Sequence, residues 1–118
     1  MKLLSTKIHG VIDYLAAFAL LIIPYSLHYD ISTVPGGIFI ILGVSTIIYS
    51  IITKYEYGIL DILPMKVHLA LDILSGILLA SSPWLFGFKD EVFLPHLIFG
   101  LFEIVAGLIT TSKTSIKL

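Results

Sequence analysis

Four apolar stretches divide the chain, roughly Ile8–Leu27, Val34–Thr53, Ile62–Ser82 and Val92–Thr111. Each is close to the ~20 residues that cross a bilayer as a helix. Val, Ile and Phe are abundant, which in water favours strands. The lengths and the lack of period-two alternation argue for helices instead. In hydrocarbon a backbone must satisfy its own polar groups, and a helix does so within one segment. The pattern predicts an all-α fold: an integral membrane four-helix bundle in one transmembrane domain over residues 1–118.

The pattern also repeats. Lys7-Ile-His9-Gly-Val-Ile-Asp13 returns fifty-nine residues on as Lys66-Val-His68-Leu-Ala-Leu-Asp72, and the match runs on to Pro24-Tyr25 and Pro83-Trp84. This divides the chain into two-helix repeats of about 1–59 and 60–118. Pro24 and Pro83 stand where a helix kinks or stops, and Pro35 and Pro95 open helices two and four. The aromatics after Pro24 and Pro83 suit an outer belt. The middle connection, Lys54–Pro64, mixes charge with apolar residues, and its Tyr55-Glu56-Tyr57 reads as an interfacial anchor.

Charge then fixes orientation. Lys2, Lys7, Lys54, Lys66, Lys113 and Lys117 lie at the N-terminus, the middle connection and the C-terminus, and only Lys89 lies in an odd-numbered connection. By the positive-inside bias both termini are cytoplasmic; the expected location is a bacterial inner membrane. The two repeats then share one orientation, related by a pseudo-two-fold axis along the membrane normal. Charged residues are 13% of the chain and mean hydropathy is +1.05, against about 25% charged in a soluble domain. The net charge of −1 leaves no basic surface for nucleic acid, and without cysteine there is no thiolate chemistry. Ala17-Phe18-Ala19 mimics a signal-peptidase site, but the apolar run continues past it and the segment reads as uncleaved.

Ser82-Pro83-Trp84, followed by Leu85-Phe86-Gly87-Phe88, resembles the signature of the SPW-repeat integral membrane proteins, in which a two-helix unit carries Ser-Pro-Trp at the end of its first helix. Asp72-Ile-Leu-Ser-Gly76 before it, and Gly100 and Gly107 after it, fit the same pattern. The first repeat departs, with Ile23-Pro24-Tyr25 in that place. The resemblance spans nearly the whole chain. It implies a fold and a membrane location and supplies no catalytic residues.

Ionisable residues inside the apolar segments are the candidate chemistry. Spacing of four puts His9 and Asp13 on one helical face, with Ala17 above them. His68, Asp72, Gly76 and Ala80 form the matching stripe, and the two stripes are expected to face each other near the axis. Helix four carries His96, Gly100, Glu103 and Gly107. With a rise of ~1.5 Å per residue, the histidines lie ~3 Å and the aspartates ~9 Å inside the inner boundary, and Glu103 lies near the midplane. Thr46 and Ser75 fall at the depth of Glu103 as hydrogen-bond partners, and Gly43 is its counterpart in the first repeat. A buried carboxylate is costly there and needs a proton, a cation or a polar network.

Three roles follow for His9, Asp13, His68, Asp72 and Glu103, with Thr46, Ser75 and His96 in support. The first is structural, in a small scaffold or accessory subunit. The second is binding of a proton or small cation, with His28 and His96 marking the outer end of the path. The third is ligation of zinc, iron or manganese, or of a haem flanked by His9 and His68. The sequence demands no cofactor, shows no hydrolase, zincin, P-loop or dinucleotide motif, and offers no catalytic residue. Its expected partners are the lipid bilayer and a second copy or another membrane protein.

Overall fold

The computed structural model describes residues 2–114; Lys117, one of the lysines expected on the inner side, lies outside them. Helix α1 spans Thr6–Ser26, α2 Val34–Ile52, α3 Met65–Leu85 and α4 Leu94–Leu108. Among the described residues the β-pairing consists of two isolated parallel bridges, Leu4 with Thr110 and Thr53 with Leu63. The fold is an all-α four-helix bundle. Helix α1 packs mainly on α2 and α3 mainly on α4, with a lesser seam between α2 and α3.

Local chemistry sets the helix ends. The Ser5 side chain accepts from the Ile8 N–H at 3.2 Å and opens α1 as an N-cap. Helix α3 starts at Met65 rather than Ile62, because Pro64 is extended as its N-cap and holds Leu63 in the bridge to Thr53. Helices α1, α2 and α3 are long and apolar enough to cross a membrane. Helix α4 has 15 residues, about 22 Å, shorter than the expected Val92–Thr111. Its start is delayed by a longer connection: Phe88 accepts from the Glu91 and Val92 N–H groups before the helix begins.

Neither Pro24 nor Pro83 stops its helix; each lies inside the last turn. Proline has no N–H for the carbonyl four residues back. For Pro83 that carbonyl belongs to Leu79, and the Ser82 hydroxyl donates to it at 2.7 Å. The serine of Ser-Pro-Trp thus replaces the hydrogen bond that its proline removes. Both helices close in the same way beyond the proline. The Tyr29 N–H donates to the Pro24 carbonyl at 2.7 Å, and the Phe88 N–H to the Pro83 carbonyl at 2.8 Å. The residue before each donor is left-handed: Gly87 at φ +74° and His28 at φ 60°.

Small residues set how closely each hairpin packs. A Cβ on Gly76 would lie 2.7 Å from the Gly100 carbonyl oxygen, and one on Gly43 would lie 3.2 Å from the Ala17 carbonyl oxygen. Ala17, Gly76 and Ala80 therefore face α2 and α4, and not each other across the axis as expected. Only the His/Asp ends of the two stripes meet. On one side of them lies an apolar core of Leu20, Ile38, Phe39, Leu42 and Leu79, and on the other one of Tyr55, Met65 and Leu69.

The middle connection folds back over the end of α2. Ile59, Leu60, Ile62 and Leu63 donate to the Ile51 and Ile52 carbonyls that α2 leaves open. Ile59, Leu60 and Ile62 point outward. Tyr55 is not the expected surface anchor. It is fully buried, with its ring 5.3 Å from His68, and burial raises its phenol above the usual tyrosine range.

Candidate functional site

His9 and His68 are each the fourth residue of their helix, and Asp13 and Asp72 follow one turn later. All four are buried. His9 Nε2 lies 2.6 Å from Asp72 Oδ2 and 3.1 Å from Asp13 Oδ2, and His68 Nε2 lies 2.6 Å from Asp13 Oδ2 and 3.3 Å from Asp72 Oδ2. Each histidine therefore makes its shorter contact across the bundle. The two Nε2 and two Oδ2 atoms form a quartet, all within 4.8 Å of one another.

The outer ring nitrogens are fixed as donors. His9 Nδ1 is 2.8 Å from the Thr110 hydroxyl and His68 Nδ1 is 2.8 Å from the Thr53 hydroxyl. Each hydroxyl donates its one proton to a backbone carbonyl, Thr110 to Ala106 and Thr53 to Tyr49. Each threonine oxygen must therefore accept from Nδ1–H. Both Nε2 atoms are left facing the carboxylates. The quartet is neutral as two imidazolium–carboxylate pairs, and neutral again with two neutral imidazoles, two carboxylates and one divalent cation.

These bonds reveal a register that the sequence hides. Equivalent residues are fifty-nine apart in α1 and α3, but Thr53 and Thr110 are fifty-seven apart. In that register the counterpart of Glu103 is Thr46, not Gly43, and Ala106 stands opposite Tyr49. The Tyr49 hydroxyl makes a short hydrogen bond to Asp72 Oδ1. On the Asp13 side, alanine replaces that phenol.

Residues 7–110 match the family description "SPW repeat domain". The chain belongs to the SPW repeat family. The match begins before His9 and ends on Thr110, so it takes in the whole quartet and both supporting threonines. No curated protein and no solved structure matches the chain. The quartet takes two residues from α1 and two from α3, while the Ser82 bond to Leu79 lies in α3 alone, where α1 has Ile23 at the corresponding position.

Other expected site residues lie elsewhere or make other bonds. Glu103 is buried within electrostatic range of Asp72 and Asp13, but its Oε2 has no hydrogen-bond partner. Thr46 donates instead to the Leu42 carbonyl at 2.8 Å, because a mid-helix threonine reaches back four residues. Ser75 is half-buried and makes no bond to Glu103. His96 belongs to an aromatic cluster with Tyr29, Phe39 and Phe88. Its Nε2 donates to the Pro35 carbonyl at 2.8 Å, and its ring centroid is 4.4 Å from that of Phe39 and 4.9 Å from that of Phe88. His28 is exposed at the end of α1.

The quartet's residues can ligate a metal ion, and they do not fit a haem. The His9 and His68 ring centroids are 5.5 Å apart at 76°, and both aspartate oxygens stand between the Nε2 atoms where a porphyrin would pass. Thr53, Thr110, Tyr49 and Tyr55 are the contributors that the sequence did not announce as partners. The fifty-seven-residue threonine pair was the available signal.

Proposed function

We propose that this chain is a small integral membrane protein acting as a structural or accessory subunit, its repeats locked by the His/Asp quartet. The observation that carries this reading is the reciprocal exchange, His9 to Asp72 and His68 to Asp13, between α1 and α3. Four ionisable groups on two helices become one neutral, bonded unit. The distribution of apolar surface supports a bilayer as the solvent. Leu15, Phe18, Ile41, Leu74 and Ile98 are exposed while every quartet member is buried, the reverse of a water-soluble bundle. The chain then lies in the bacterial inner membrane with both termini cytoplasmic, and its outer faces meet lipid, a second copy or another membrane protein.

Topology is tested with single cysteines in this cysteine-free chain. Cysteines at Ile31 and Asp90 should react with an impermeant maleimide from outside, and one at Ile59 should react only after permeabilisation. Labelling of Ile59→Cys in intact cells would refute the orientation.

One observation favours proton or cation binding as a second reading: Glu103 is buried in α4 and its Oε2 has no hydrogen-bond partner. The structural reading expects proteoliposomes of the wild type and of Glu103→Gln to show the same background proton flux. A flux present in the wild type and abolished by Glu103→Gln, with folding kept, would replace the structural role with transport.

A further inference from the structure

We infer that the quartet is a binding site for one divalent first-row metal ion of the zinc or iron type, ligated by His9 Nε2, His68 Nε2, Asp13 Oδ2 and Asp72 Oδ2. The inference rests on the quartet reading above and gives that site a ligand.

Convergence is the first argument. Four donor atoms from two helices approach one point, all within 4.8 Å of one another. Zinc–nitrogen and zinc–oxygen distances near 2.1 Å set neighbouring ligand atoms about 3.3 Å apart in a tetrahedron. The four His–Asp separations run from 2.6 to 3.3 Å. Opening the two 2.6 Å pairs by about 0.7 Å brings the His–Asp separations to that spacing, and the His–His and Asp–Asp donor pairs, within 4.8 Å, adjust with them.

Orientation is the second argument, and it is independent of the first. A lone histidine on a membrane helix has two tautomers and a free ring flip. Here Thr53 and Thr110 fix both Nδ1 atoms as donors and aim both Nε2 atoms inward. Metal-bound histidines are held in just this way, with the far N–H bonded to an oxygen. The Tyr49 hydroxyl does the same for Asp72 by occupying its second oxygen, leaving Oδ2 for the ion.

Charge and donor type narrow the ion. Two carboxylates and two neutral imidazoles balance a divalent cation, so the buried site carries no net charge. Mixed imidazole and carboxylate donors suit zinc, iron and manganese; without thiolate or thioether, Cu(I) is disfavoured. Calcium takes six to eight oxygens, which two monodentate carboxylates do not provide.

The test uses the full-length, untagged chain in detergent, stripped with a chelator and dialysed against Zn²⁺ or Co²⁺. One ion per chain is expected by elemental analysis, with visible d–d bands of Co²⁺ in a nitrogen/oxygen site. Thr110→Val keeps all four ligands but frees the His9 ring, and should weaken binding about 10–100-fold. Asp13→Asn and Asp72→Asn keep shape and hydrogen bonding but ligate poorly, and each should weaken it further. No bound ion on a cooperatively unfolding wild type would overturn the inference, as would equal ion content in an Asp13→Asn/Asp72→Asn double variant. Stability measured in chelator judges the lock separately. If His68→Leu destabilises the metal-free chain and no ion binds, the lock stands and the metal site falls. If an ion binds and His68→Leu leaves the metal-free chain unchanged, the reverse holds.

Discussion

His68→Leu is expected to lower the stability of the metal-free chain in detergent by about 3–5 kcal/mol, the range for breaking a buried ion pair from one side. The loss is specific. Asp13 is deprived of its 2.6 Å partner and keeps only the 3.1 Å contact to His9. The Thr53 oxygen loses its donor as well. Adding Asp13→Leu removes the stranded carboxylate, so the double variant should lose clearly less than the sum of the two single losses. Equilibrium unfolding of the wild type, both single variants and the double variant, all with chelator, gives the coupling. A His68→Leu loss below about 0.5 kcal/mol, the size of an ordinary surface change, would remove the lock from the account.

Gly100→Ala carries the second large effect, about 1–3 kcal/mol of overpacking. Its Cβ would lie 2.6 Å from both the Gly76 carbonyl oxygen and the Ala80 Cβ. Both are fixed to the α3 backbone, so the only relief is to move α3 and α4 apart. Gly107→Ala on the same helix is the control. Its nearest obstacle, at 2.7 Å, is Ile73 Cγ1, a side-chain atom with restricted rotation, but the nearest backbone atom, the Leu69 carbonyl oxygen, is 3.3 Å away, so the two backbones need not part as far. Thermal unfolding should show a much larger drop for Gly100→Ala. Equal drops would mean that the α3–α4 crossing does not depend on close backbone approach.

The helices were legible because a bilayer-length apolar run has few other solutions. The quartet was legible because His and Asp recur at spacing four in segments that otherwise avoid charge. The positions of Glu103, His96 and Tyr55 were not. Helices α2 and α4 share too few identical residues to align by eye, so their fifty-seven-residue register appears only when Thr53 and Thr110 are seen on equivalent imidazoles. Threonine is common in such helices and does not announce a bond. Small residues marked close packing correctly but did not say against which helix, because a glycine stripe carries no information about its neighbour. Tyr55 reads as an interface residue by type, and only the fold-back of its connection carries it inside.

The reciprocal form of the quartet has a consequence for assembly. Residue i of one half meets residue j of the other, and j of the first meets i of the second, which is the rule of an isologous contact. Such a contact is satisfied as well by two identical halves on separate chains as by two halves on one chain. Joining them removes the requirement that they stay identical. The covalent link lets one side hold Tyr49 and Thr46 where the other holds Ala106 and Glu103. A single pairing motif can therefore keep its symmetry while the space on either side of it becomes chemically distinct.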